Sequence, residues 1–440
     1  MISIYYLLFF FALALAGPFL LLSKKATRAG VFQKFGILPE DLKTRIKAIP
    51  ESQARIWFHA VSVGEFNALY PLAEEFSKRH PDYKIFISTT TATGQELAKK
   101  RAGDIAEVFY FPFDLPFSLN CFLDLIRPDT VGIVETEIWP GFMHECHKRK
   151  INVVLLNGRL SPRSLKGYSR WRCFFQPVLA QFRALAVQSQ AEKSRYLSLA
   201  GKNLRIEVCG NIKLDGLKAC SQSETEALRR ELKIDKSELT LVAGSTHEGE
   251  ETAFIKALKE LNNSFRLILV PRHPERFERA AELIEMHGFR VRRFSRNEAF
   301  ESEKDIYLLD TIGQLNKFYS LADIAFVGGT LANIGGHNLA EPCAYRTPVL
   351  CGPHTHKARD LEQKLTEAEA LLQLNDEKDL SSTLKSLLDS PEKRERLGEN
   401  GYRFLSANQG ALVKTLDLLE EYLGSKEREI EVEVAGRRLR

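Results

Sequence analysis

No Cys-x-x-Cys pair occurs in the 440 residues, and the seven cysteines, at positions 121, 146, 173, 209, 220, 343 and 351, stand apart within stretches of regular pattern. An odd count without close pairs speaks against a disulfide framework or a cysteine zinc finger and describes reduced, buried thiols. A large excess of one charge is missing too, since 62 Lys and Arg stand against 57 Asp and Glu, a formal +5. There is no long basic stretch interleaved with aromatics, which argues against nucleic-acid binding. The mild basic excess suits an anionic substrate or a membrane face. Neither GxGxxG with a distant acid nor GxxxxGK[ST] is present, so dinucleotide and P-loop readings lose their support. No fixed-period repeat is visible.

What is present begins with Ile4 to Leu22, "IYYLLFFFALALAGPFLLL", nineteen uncharged residues. As a helix this stretch reaches about 28 Å, close to the hydrocarbon thickness of a bilayer. Lys24, Lys25 and Arg28 follow while no charged side chain precedes, which keeps the bulk of the chain on the cytoplasmic side. "ALAG" at 14–17 offers a small-residue cleavage site, but a signal peptide needs its basic cluster before the apolar run, not after it. The expectation is a retained single-pass transmembrane helix, residues 1–28 with the basic flank, and an anionic phospholipid membrane as partner.

From residue 55 onward short apolar runs alternate with amphipathic stretches: "RIWFHA", "KIFISTT", "EVFYFPF", "TVGIVE", "NVVLLN", "ALAVQS" and "RIEVCG". Such runs read as parallel strands separated by helices, which predicts an α/β domain over 29–217. The polar stretch 218–238 reads as an inter-domain linker with a short helix. A second cycle, "LTLVAGS", "FRLILVPR", "FRVRRFS", "DIYLLD", "IAFVGG" and "PVLCG", predicts another α/β domain over 239–408, including a helix at His337–Ala344. Residues 409–440 read as a helix returning to the first domain, then a charged tail. Two Rossmann-like sheets facing across a cleft, with ligands at the carboxyl ends of their strands, is the fold expected.

Polar motifs cluster at those strand ends. In "HAVSVGE", Glu65 is either a helix-capping acid or a general base, with Ser62 and Gly64 making the turn that aims it. Glu135 and Glu137 flank Thr136, so an extended segment points both to one face, and like charges favour a polar site over an apolar core. Arg159 and Arg163 begin a basic patch running through Lys166, Arg170 and Arg172, readable as solvated surface or as a binder of phosphorylated acceptor headgroups. "VPRHPER" ends a strand with Arg272 and His273, both suited to phosphate. In "GGTLANIGGHNLAEP", Gly335 and Gly336 precede the predicted helix, whose free amides can receive phosphate, and Glu341 can accept from ribose hydroxyls. His247 in "GSTHEGE" can reach the site. His354 and His356 lack a third ligand, so no metal is expected.

Seven ordered stretches, "SVGE" at 62–65, "ETEIWP" at 135–140, "NGRLSPRS" at 157–164, "GNIKLD" at 210–215, "GSTHEGEE" at 244–251, "VPRHPER" at 270–276 and "GGHNLAEP" at 335–342, resemble the Kdo transferases, which add 3-deoxy-D-manno-octulosonic acid (Kdo) to the lipid A precursor. The resemblance implies a two-domain glycosyltransferase of GT-B type and metal-independent, cofactor-free, inverting transfer from CMP-Kdo to the tetraacylated lipid A precursor in lipopolysaccharide biosynthesis. It implies Glu65 as the base and Arg272, Gly335, Gly336, Asn338 and Glu341 as donor contacts. It also implies a bacterial inner-membrane location with cytoplasmic catalytic domains. The loop after Gly352, "GPHTHKARD", departs from the family's usual Asn-Phe pair. Another nucleotide-sugar glycosyltransferase or an epimerase of the same fold is the alternative.

Overall fold

The structure, a computed structural model, describes residues 2–21, 25–201, 203–217 and 219–423, and side chains throughout these except at 16–29. The chain divides into two compact units, one running to Gly216 and resuming at Asn408, the other covering Leu217–Ala407.

In the first unit, β1 (Arg55–His59), β2 (Lys84–Thr89), β3 (Ala106–Tyr110), β4 (Thr130–Val134), β5 (Asn152–Gly158), β6 (Ala184–Val187) and β7 (Ile206–Val208) form one sheet in the order β3-β2-β1-β4-β5-β6-β7. All neighbours run parallel. Helices cover both faces, which is why these strands are nearly continuous apolar runs: every residue of β1 and β4 is buried. One face packs Trp57, Phe86, Phe109, Phe122 and Phe142. The other packs Phe58, Phe66, Leu69 and Phe76 with Ala411, Leu416 and Leu419 of the returning helix Ala411–Glu420. Asp215 receives the Gly410 and Leu412 amides at 2.7 and 2.8 Å, fastening that helix at its start.

The second unit repeats the pattern. Strands β8 (Thr240–Thr246), β9 (Arg266–Pro271), β10 (Arg290–Arg293), β11 (Asp305–Leu308), β12 (Ile324–Val327), β13 (Val349–Cys351) and β14 (Leu371–Gln373) lie in the order β10-β11-β9-β8-β12-β13-β14, again parallel. The stretch expected to be a linker with a short helix belongs to this unit: its helix, Gln222–Glu231, carries a capping box at Ser221 and Glu224, and Leu228, Leu232 and Ile234 are buried in the unit's core. Its polar composition is that of a helix with one apolar stripe.

Two other expectations need correction. Ile2–Leu21 is helical, yet among the described residues no helix is long and apolar enough to cross a membrane. The described side chains of this helix end at Leu15, and Leu22 to Lys24, as well as the charged tail from 424 onward, lie outside the described residues. The first turns also pack on the first unit: the Tyr5 hydroxyl donates to Asp114 at 2.6 Å, and its ring lies 5.8 Å from that of Phe174. Ile4, Leu7, Leu8, Phe10, Phe11 and Leu15 remain exposed. The helix expected at His337–Ala344 is a short 3-10 turn, Pro342–Tyr345, because Pro342 has no N–H to continue a helical ladder.

Candidate active site

Strand order reverses between β1 and β4 in the first sheet, since β1 leads on to β2 on one side while β4 leads on to β5 on the other. A crevice opens at the carboxyl ends of such a pair, and it is the usual ligand position in open parallel sheets. The loops there carry Glu65, Glu135 and Glu137.

Glu65 sits in the first turn of the helix Val63–Arg79, half-buried. One oxygen accepts the Val61 amide at 2.7 Å and the other the Ser62 hydroxyl at 3.2 Å. The carboxylate therefore satisfies an amide at the helix start and is only partly covered. Burial raises its pKa, the Val61 amide opposes the rise, Glu135 adds to it, and Lys213 lowers it. Gly64 is exposed, with only the Ser62 hydroxyl within 4 Å of where a Cβ would stand, so it leaves the approach to Glu65 open.

Glu135 lies in a left-handed turn (φ 64°), not in an extended strand, and pairs with Lys213 at 2.5 Å. Glu137 is half-buried, and its carboxyl is pushed up to about 7 by burial and then by the Glu65 charge. Thr136 between them donates its hydroxyl to the Arg159 carbonyl at 2.5 Å, binding the loop after β4 to the loop after β5. Arg163 is exposed on the helix Pro162–Arg170, which buries none of its side chains. Sequence reasoning missed Lys213, although it lies inside "GNIKLD".

The second sheet reverses between β8 and β12. After β12, Gly328 passes so close to β8 that a Cβ would stand 2.2 Å from the Ser245 carbonyl oxygen, and Gly329 turns with φ 70°. The amides of this loop are already used. Glu250, buried at the start of the helix Glu250–Glu260, accepts from Gly329, Thr330, Leu331 and Ala332 at 2.9–3.1 Å and from His247 at 2.9 Å. Gly335 and Gly336 donate to the Gly329 carbonyl at 3.0 and 2.8 Å, closing the turn that leads into His337 and Asn338. An internal carboxylate fills the nest formed by the amides of 329–332.

Side chains remain to meet an anion. Arg272 and His273 are exposed after β9, and the His273 ring lies 5.4 Å from that of His247. His247 Nε2 is 2.8 Å from His337 Nε2. Asn338 donates to Glu341 at 3.2 Å, and burial raises the Glu341 carboxyl. His337 lies inside "GGHNLAEP", and its partner 90 residues earlier is invisible to spacing. Among the described residues no group of three or more His, Cys, Asp or Glu is placed to hold a metal ion.

Comparison with known proteins gives this arrangement a family. A family model described as 3-deoxy-D-manno-octulosonic-acid transferase matches residues 30–216, and one described as glycosyl transferases group 1 matches 253–404. The chain is 37% identical over 374 residues to the 3-deoxy-D-manno-octulosonic acid transferase of Haemophilus influenzae, covering 84% of this chain and 87% of that one. It is 29% identical over 377 residues to the enzyme of the same name from Chlamydophila psittaci, covering 85% and 87%. Among solved structures it is similar to a glycosyltransferase from Rickettsia africae (TM-score 0.52, 12% identity, 85% of this chain and 100% of that one). It is equally similar to a UDP-GlcNAc 2-epimerase from Neisseria meningitidis (0.53, 14%, 83% and 99%). Those two likenesses show the fold of two Rossmann-like units, which transferases and epimerases share, whereas the relatives at higher identity decide between them. The chain belongs to the 3-deoxy-D-manno-octulosonic acid transferase family of glycosyltransferases.

Proposed function

We propose that the protein transfers Kdo from CMP-Kdo to the tetraacylated lipid A precursor, lipid IVA, with inversion at the anomeric carbon and release of CMP. The observation that carries this reading is Glu65: a half-buried carboxylate at the switch point of the first sheet, held by the Val61 amide, in a chain of this family. In the step proposed, the acceptor hydroxyl oxygen forms a bond to the anomeric carbon as the bond from that carbon to the phosphate oxygen breaks. The electron pair leaves on CMP, and the hydroxyl proton passes to Glu65. A single displacement inverts configuration.

Glu135, Glu137, Arg159 and Arg163 border the acceptor in this scheme, and Arg272, His273, Asn338 and Glu341 border the donor. Arg272 meets the charge that grows on the departing phosphate, an electrostatic contribution largest in the transition state. The exposed apolar side chains of the first helix, followed in sequence by Lys24, Lys25 and Arg28, support attachment to the inner membrane with both units cytoplasmic.

Incubation with CMP-Kdo and lipid IVA tests the proposal. The expected product is heavier by one or more Kdo residues, with CMP released only when acceptor is present and the new linkage of inverted configuration by NMR. Unchanged lipid mass, or faster turnover with a different activated sugar, would overturn it.

A further inference from the structure

His247 follows β8 and His337 follows β12, so their contact spans the place where the second sheet reverses. The rings are within 4° of parallel with centres 5.1 Å apart. That separation is the 2.8 Å contact extended by one ring radius at each end, so the rings lie edge to edge in nearly one plane, Nε2 facing Nε2. A zinc ion at about 2.0–2.1 Å from each nitrogen does not fit between them. What fits is a linear N–H···N hydrogen bond, one imidazole donating and the other accepting.

This bridge is held from below. Glu250 accepts both the His247 and the Gly329 amide, and a Cβ on Gly329 would stand 3.2 Å from the His337 ring and 3.4 Å from the His247 ring. Charges around it are mostly cationic: His273, Arg272 and Arg276 from the segment after β9, and Lys357 from the loop after β13. His356 stands beside Gly335 in that same loop. Of the acids nearby, Glu250 is engaged by five amides, Glu251 by Thr246 and Arg276, and Glu341 by Asn338, while the exposed Glu248 and Glu275 stand 3.9 Å from Arg276 and His273.

Proton bookkeeping then limits what the pair can do. In the neutral pair one Nε2 carries the bridging hydrogen, and only the accepting ring has a hydrogen on its Nδ1. One added proton goes to the free Nδ1 of the donating ring, after which both outer nitrogens are donors and the bridge survives as N–H⁺···N. A second proton would set two N–H groups against each other and break it.

We infer that the His247–His337 bridge is a one-proton anion contact, gaining a single proton as the phosphodiester of an activated sugar arrives against its outer nitrogens. This rests on reading the second unit as the donor unit. Burial first, then the charged groups beside them and, for His337, the His247 ring, holds both imidazoles below the usual histidine range, His337 at about 4, so the empty bridge is neutral near pH 7. An arriving anion reverses that balance.

Calorimetric titration of the full-length protein with cytidine 5′-O-methyl phosphate, whose phosphodiester has no second ionisation, tests this at pH 7 in buffers of different ionisation heat. The expected result is uptake of between about half a proton and one proton per ligand bound. The double variant His247→Gln/His337→Gln should bind at least about tenfold more weakly, with that uptake lost. Nitrogen-15 histidine spectra of the unsubstituted protein supply a reading that does not depend on the variant folding: both Nδ1 atoms become protonated on binding while one Nε2 stays bare. Binding without proton uptake, uptake above one proton, or uptake unchanged in the double variant overturns the inference and leaves the donor assignment standing. Failure of the ester to bind at all overturns both.

Discussion

The two sheets reverse at equivalent places and fill them with opposite chemistry. Between β1 and β4 the loops converge three carboxylates, Glu65, Glu135 and Glu137, with Lys213 as the cation beside them. Between β8 and β12 they bring His247 and His337 together among Arg272, Arg276 and Lys357. The strands supply the crevice and the loops decide its sign, which is how one architecture can offer a base in one half and an anion site in the other.

Removing the proposed base is the severest break of that contrast. Glu65→Gln keeps an acceptor for the Val61 amide but cannot take a proton, so kcat should fall about 10²–10⁴-fold with little change in the KM for CMP-Kdo. Steady-state kinetics at saturating acceptor check this, and near-normal turnover would strip the first crevice of its catalytic role.

In the second unit the largest loss should come from a buried acid that ties two loops together. Glu250→Gln replaces one carboxylate oxygen by an NH₂ group facing amide donors, within a nest that receives five of them. The expected cost is about 2–4 kcal/mol, read as a lower unfolding midpoint in denaturant. Next comes Arg272→Ala, which removes an exposed guanidinium and should raise the KM for CMP-Kdo about 10–100-fold while sparing that for lipid acceptor. Equal loss toward both substrates would remove Arg272 from the donor side.

The difference between the units also marks where sequence reading succeeds. Both sheets were visible because buried parallel strands are unbroken apolar runs, and Glu65 was visible because its acid stands alone at a strand-to-helix junction. The glycine-rich segment is legible only in part for a physical reason: glycines announce a tight backbone, but that the amides of 329–332 face an internal acid depends on Glu250, some 80 residues away. Lys213 and His337 escaped for the same reason, since each acquires its role from a partner, Glu135 or His247, that only the fold brings near. How much of 218–238 packs into the second unit is hidden in the sequence, because a helix with a single apolar stripe is as polar as a loop in composition.

The smallest expected effects are the most diagnostic of the acidic crevice. A general base acts deprotonated, so kcat/KM climbs with pH through the pKa of Glu65, and anything that moves that pKa moves the acid limb with it. Glu135 raises the Glu65 pKa and Lys213 lowers it. Glu135→Gln should therefore carry the limb to lower pH and Lys213→Met to higher pH, each by about half a unit to one unit. Opposite displacements from the two partners of one ion pair cannot arise from a general loosening of the loop, which would shift both variants the same way; pH profiles of kcat/KM for the two substitutions thus separate an electrostatic crevice from a merely structural one.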